Sequence, residues 1–265
     1  MADFAGAAVP LSEQGFARVL DILNVGAAEV WTVLSVETSG FGYLPDRRPL
    51  ILFERHIFSK QTGGAFDAGH PAISAPKPGG YSGGVKEYDR LAEAIALNRH
   101  AALNSASWGI GQVMGFNSQP AGYDPVESMV DAMVHDEDAQ LAAMANFVRS
   151  EGLHRPLGNH DWPGFARGYN GPDFAKNQYD QRLASDFQKF SAGSLPDLQV
   201  RLTQALLTFL NFDPNGVDGI AGKRTRSAVS LFREKNGLGD SDAIDLDLIS
   251  ALRAQVEAAA QAAIT

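Results

Sequence analysis

The sequence has no cysteine among its 265 residues. Disulfide frameworks and thiolate metal sites are therefore excluded, and the redox compartment is left unread. No apolar run approaches ~20 residues, so no stable membrane insertion is expected. Positive charge is scarce, and the net charge is −9. That balance leaves no basic excess for phosphates, which argues against nucleic acid as a partner, and no polybasic patch for an anionic membrane. The opening stretch, MADFAGAAVPLSEQGF, lacks a basic region and a long apolar core, so it does not read as a signal peptide. No H-E-x-x-H offers zinc ligands, and no G-x-S-x-G marks a serine hydrolase. DPNGVDG (213–219) imitates the start of an EF-hand, but Val217 and Asp218 stand where a ligand and a glycine belong. No metal and no cofactor is implied.

What is present is a chain with 45% apolar and 20% charged residues. That composition supports a real core rather than disorder. The length fits one large domain, or a medium one and a small one. Ser12 with Glu13 reads as a helix start and Gly26 as its end. A second helix is expected over Ala27 to Thr38. PLILFE (49–54) is either a buried strand or the lead into a helix, RHIFSKQT. The Gly- and Pro-rich stretch from Gly63 to Gly84 reads as a long surface loop. Helical spacing then dominates through Leu91, Ala94 and Ile95, through Val126, Met129, Val130 and Met133, and through Leu141, Met144, Ala145 and Val148. His135 and Asp136 are expected on a helix surface. QYDQRLASDFQKF (178–190) is a further helix. SAGSLPD (191–197) reads as a linker, so domains are placed at 1–192 and 193–265. Beyond it, three short helices surround one small core.

Glu37 follows Val30 by seven residues and Leu34 by three, so on a helix all three share a face. It is either a carboxylate at the rim of a core or one whose pKa the core raises, making it a proton donor. Glu54 also ends an apolar run. Paired carboxylates serve glycoside hydrolysis, yet Arg47, Arg48, Arg55 and His56 are near enough to pair with Glu54 instead. In SASWGIGQVMGFN (105–117), Gly109 and Gly111 permit a tight turn. No strand and acidic partner support a nucleotide reading of G-x-G. Ser107 lies in this stretch, and Gln112 is a candidate amide for a polar ligand. Tyr169 and Asn170 precede a Gly-Pro break at a helix end.

In this order, ETSGFG, SWGIGQVM and GYNGP resemble the lysozyme-like superfamily of muramidases and soluble lytic transglycosylases. Gly111 stands where that pattern usually has Met. DRRPLILFERHIFSK resembles, more specifically, the N-acetylmuramidase domain of phage endolysins from Gram-negative hosts, with Arg47 in place of the usual Gly. The C-terminal stretch is similar to the three-helix peptidoglycan-binding domain through Asp218, Gly219, Gly222, Thr225, Ala228, Val229 and Phe232, although FRE replaces the more usual FQ.

The resemblance implies a mainly α fold, with an α+β lysozyme-like catalytic domain carrying a small β element, plus a small three-helix domain. It implies Glu37 as catalytic acid, with Glu54 either a second catalytic carboxylate or a structural one, and Ser107, Gln112, Tyr169 and Asn170 as substrate-binding. Asp218, Gly219 and Thr225 would belong to the wall-binding part. The expected activity is cleavage of the β-1,4 bond between N-acetylmuramic acid and N-acetylglucosamine in bacterial peptidoglycan, causing host lysis. The alternatives are a lytic transglycosylase on the same bond and a non-catalytic wall binder. A monomer made in the host cytoplasm, reaching the periplasmic wall through a holin or similar, completes the expectation. A fragment ending at residue 193 is expected to stay folded and active.

Overall fold

The computed structural model of the chain describes residues 4–38 and 40–262. Ser39 of the ETSGFG segment and residues 263–265 of the tail lie outside the described residues. Helix α1 (Glu13–Leu23) begins where the Ser12 side chain accepts from Gly15 N–H. It ends at a left-handed Asn24 rather than at Gly26, because Asn also tolerates that conformation. Helix α2 (Ala27–Thr38) matches its expected span and buries Val30, Trp31, Val33 and Leu34. PLILFE supplies both of its readings. Strand β1 (Ile51–Phe53) comes first, then Glu54 leads into helix α3 (Arg55–Gln61). The Gly- and Pro-rich loop is pinned from within. Ile73 and Ser74 are buried, the hydroxyls of Ser59 and Ser74 donate to Asp67, and Arg55 donates to the carbonyls of Lys77 and Pro78.

Helix α4 (Glu87–Asn104) is interrupted by extended backbone at Asn98. Strands β2 (Ala106–Trp108) and β3 (Val113–Met114) complete a three-stranded antiparallel sheet in the order β1-β2-β3, with Ile51 opposite Trp108 and Trp108 opposite Val113. Helices α5 (Val126–His135) and α6 (Glu137–Ser150) meet at Asp136. His135 is exposed. Asp136 is not a mid-helix surface residue: its carboxylate accepts from Ala139 N–H at 2.6 Å and starts α6. Helices α7 (His154–Gly158), α8 (Trp162–Tyr169) and α9 (Tyr179–Ala192) follow. Helix α1 packs on α6 and α2 on α9, around one apolar cluster running from Leu11 to Phe190. No single helix among the described residues is long and apolar enough to cross a membrane, and α1 and α2 meet at a 105° bend.

Helices α10 (Leu198–Phe209), α11 (Lys223–Lys235) and α12 (Leu246–Ala262) surround a second apolar cluster that includes Leu207, Val229, Phe232 and Leu252. The architecture is mainly helical with one small sheet, as the sequence predicts. The two clusters are joined by a buried ion pair. Arg201 of α10 and Glu137 of α6 are both 0% exposed, and each guanidinium Nη meets a carboxylate oxygen at 2.8 Å. Glu137 also accepts from Leu11 N–H at 2.8 Å and Gly42 N–H at 2.9 Å, while Arg201 Nε donates to the Gly40 carbonyl at 2.9 Å. Removing one partner of a buried pair typically costs about 3–5 kcal/mol, because the other charge is stranded. SAGSLPD therefore leads into a unit bonded to the first, and a fragment ending at 193 would strand Glu137.

Candidate active site

The face of α2 is laid out as its spacing predicts, with Val30 and Leu34 fully buried and Glu37 at its end. Glu37 as a whole is half-buried. Tyr179, the first residue of α9, donates its hydroxyl to Glu37 Oε1. Arg182, one turn on, donates to the Val36 carbonyl at 2.8 Å. Burial pushes the Glu37 carboxyl from its ordinary 4.5 up to about 7, with the Tyr179 hydroxyl and the Arg182 charge pulling weakly the other way. Such a group holds its proton near neutral pH and can deliver it.

The β2–β3 turn closes on this helix end. Gly109 and Gln112 both take positive φ, at 68° and 47°. The Thr38 hydroxyl donates to the Ile110 carbonyl at 3.1 Å, and the Tyr169 hydroxyl donates to the Gly111 carbonyl. Burial, then the nearby Glu37 charge, holds the Tyr169 hydroxyl well above its ordinary pKa. The three segments ETSGFG, SWGIGQ and GYNGP, far apart in sequence, thus share one place.

The remaining candidates fall as follows. Gln112 does not extend its amide outward: it accepts from Ser107 Oγ at 2.8 Å and donates to the carbonyls of Gly109 at 2.8 Å and Leu50 at 3.2 Å. Ser107 and Gln112 shape the turn from inside. Asn170 is exposed at the end of α8. Glu54 pairs with none of its neighbouring arginines. Its carboxylate accepts from the Tyr81 hydroxyl at 2.9 and 3.1 Å, and His56 Nδ1 lies 3.1 Å away but off hydrogen-bond geometry. It sits beyond the three residues of β1 that follow Leu50, about 13 Å along extended backbone, whereas Leu50 borders the turn against Glu37. Asp218, Gly219 and Thr225 all converge on Gln204. The Gln204 amide donates to Asp218 at 2.8 Å and to the Thr225 hydroxyl at 3.1 Å, and accepts from Gly219 N–H at 2.8 Å. Among the described residues no group of three His, Asp or Glu is placed to hold a metal.

The N-acetylmuramidase family profile matches residues 26–191. The chain belongs to the N-acetylmuramidase family. As such it is a glycoside hydrolase whose substrate is peptidoglycan. The mainly helical, lysozyme-like α+β fold is similar to that of a solved structure, the crystal structure of Burkholderia AP3 phage endolysin. That protein is 41% identical over 69% of this chain and 71% of its own, with a TM-score of 0.63. No curated protein matches the chain.

Three departures of this muramidase from the familiar motifs have structural counterparts. A Cβ on Gly111 would come within 2.6 Å of Met144 Cβ, so α6 already fills the space of the usual Met side chain. Arg47 has a φ of 67°, which explains why Gly is usual there. Its guanidinium compensates by donating to the Ala7 carbonyl and lying over the Phe209 ring at 5.7 Å. Arg233, in the place of the usual Gln, ties α11 to the α12 approach through Asp245 and the Ala243 carbonyl.

Sequence reasoning passed over Tyr179, Arg182, Glu137 and Gln140. Tyr179 and Arg182 carry a faint signal, being three apart on one face of a helix. Gln140 holds the turn by accepting from Ile110 N–H at 2.8 Å while donating to the Met133 carbonyl at 2.8 Å. One turn of α6 thus supports both motif loops, Glu137 the first and Gln140 the second. Only the contacts reveal it.

Proposed function

We propose that this muramidase is an endolysin-type enzyme that hydrolyses the β-1,4 bond between N-acetylmuramic acid and N-acetylglucosamine, with Glu37 as general acid. The observation that carries the reading is the Glu37 carboxyl, lifted to about 7 where the β2–β3 turn meets α8 and α9. Glu37 gives its proton to the glycosidic oxygen as the bond to the muramic-acid carbon breaks. The Tyr179 hydroxyl fixes the orientation of the carboxyl. Positive charge develops on the muramic-acid ring, and a water adds its oxygen there. Glu54, beyond the far end of β1, takes that water's proton. A base that acts through a water in this way is the arrangement of inverting enzymes. The Ile110–Gln112 turn and Asn170 hold the sugar, with Ser107, Gln112 and Tyr169 setting the turn.

Residues 193–265 form the wall-binding part of this reading. A cavity of about 210 Å³ lies beside Asp218 and Thr225, with Gln204 among its walls and Lys223 and Arg224 at its edge. A monomer made in the phage host and passed to the periplasmic wall by a holin or similar fits the whole. Mass spectrometry of muropeptides released from purified sacculi tests the chemistry. Reducing N-acetylmuramic acid ends are expected. Anhydro-muramic acid products would overturn hydrolysis in favour of transglycosylation.

A further inference from the structure

We propose that the cavity between the catalytic core and the three-helix unit is a subsite for an N-acetylhexosamine ring of the glycan strand being cut, built jointly by both units. This rests on the reading of Glu37 as the acid. The cavity measures about 440 Å³, within the range of small-ligand sites. Thr38, which follows Glu37 in the chain and holds the Ile110 carbonyl of the β2–β3 turn, is among its walls. The catalytic core contributes Phe41, Tyr43 and Leu50, and the helical unit contributes Asn211, Phe212 and Asp213. Rings and an aliphatic side chain on one side face an amide, a ring and a carboxylate on the other. A sugar ring is matched to such walls: its C–H faces lie on aromatic rings, and its hydroxyl edges meet planar polar groups. A stem peptide would bring charges and backbone groups that aromatic walls leave unpaired.

The geometry of the cavity is held rather than incidental. The rings of Phe41 and Tyr43 lie 6.1 Å apart, and both pack on Phe209 of α10, at 5.8 and 6.4 Å. Tyr43 turns its hydroxyl inward to the Met133 carbonyl. Gly40, between Thr38 and Phe41, is gripped by Arg201, whose guanidinium also lies over the Phe41 ring at 5.7 Å. The Asp213 charge is met by Arg224, which suits a neutral sugar. A unit serving only as a tether has no reason to share the walls of a cavity with the catalytic core.

The test uses the full chain on two substrates, a soluble peptide-free hexasaccharide of alternating N-acetylglucosamine and N-acetylmuramic acid, and intact sacculi. Asn211→Gly removes the amide while keeping the positive φ of 62°. Thr208→Trp fills the cavity from α10, which lines it at that residue. Each is expected to raise KM for the hexasaccharide about five-fold or more, the scale of one lost hydrogen bond, with a smaller change in kcat and unchanged melting. Calorimetric binding of the hexasaccharide to Asn211→Gly gives the same reading without turnover. An unchanged KM and affinity for the hexasaccharide, with loss confined to sacculi, would make the unit a tether and overturn the subsite. Retained activity in Glu37→Gln would instead overturn the acid, whatever the cavity variants show.

Discussion

Glu37 and Glu54 each close an apolar run, and the chain builds two different environments around them. Glu37 stands at the C-terminal end of α2, where the helix field opposes negative charge, and α9 covers it with Tyr179. Glu54 stands just ahead of α3, at a helix N-terminus, with Tyr81 and His56 beside it. One carboxyl is made a reservoir for a proton; the other is met by the Tyr81 hydroxyl. The apolar run announces both residues equally. The elements that follow each of them decide the chemistry.

The largest test of that contrast is Glu37→Gln. Loss of a general acid costs about 10²–10⁴-fold in rate, and the variant should keep its fold. Its stability profile carries a second signature. Between pH 4.5 and about 7 the native state keeps a proton that the unfolded chain has released. By linkage, the parent should therefore lose up to about 3 kcal/mol of stability as pH rises through that window. Glu37→Gln should lose this slope. Urea melts of both proteins at several pH values decide it, and a parent profile as flat as the variant's would break the contrast.

Arg201→Ala asks whether the Glu37 end depends on the helical unit. It strands Glu137 and should cost about 3–5 kcal/mol, read as a fall in melting temperature. Arg201→Lys should recover only part, since an ammonium cannot reproduce the fork that grips both Glu137 oxygens and Gly40. Glu54→Gln comes next. As water activator it should lose roughly 10²-fold in turnover while melting almost as the parent does, because no buried arginine depends on it. A drop of melting temperature with proportional loss of activity would make Glu54 structural. The smallest effect belongs to Tyr179→Phe. The lost hydroxyl was lowering the Glu37 pKa, so the alkaline limb of the rate profile should move to higher pH. A shift the other way would remove Tyr179 from the site.

Much of this fold is written in periodicity. Helices α2, α5, α6 and α9 and the three C-terminal helices follow their apolar spacing, and Glu37 falls on the face its spacing assigns. Contacts across the chain leave no such trace. Glu137 and Arg201 lie 64 residues apart, and neither interrupts the pattern of its helix. The inward amide of Gln112 and the partners of Glu54 were equally hidden, since a side chain's direction depends on what packs around it. SAGSLPD reads as a linker because small polar residues fit a linker. Composition describes the segment itself, not the bonds that span it.

The Arg201–Glu137 pair sets a rule for module exchange. From its sequence the C-terminal unit looks interchangeable, joined to the rest through a short polar stretch. Here a transplanted ending leaves Glu137 without its counter-ion and Gly40 without its clasp. A chimera of this muramidase must therefore carry an arginine in the register of Arg201, or receive a neutral, apolar replacement for Glu137 in the same step.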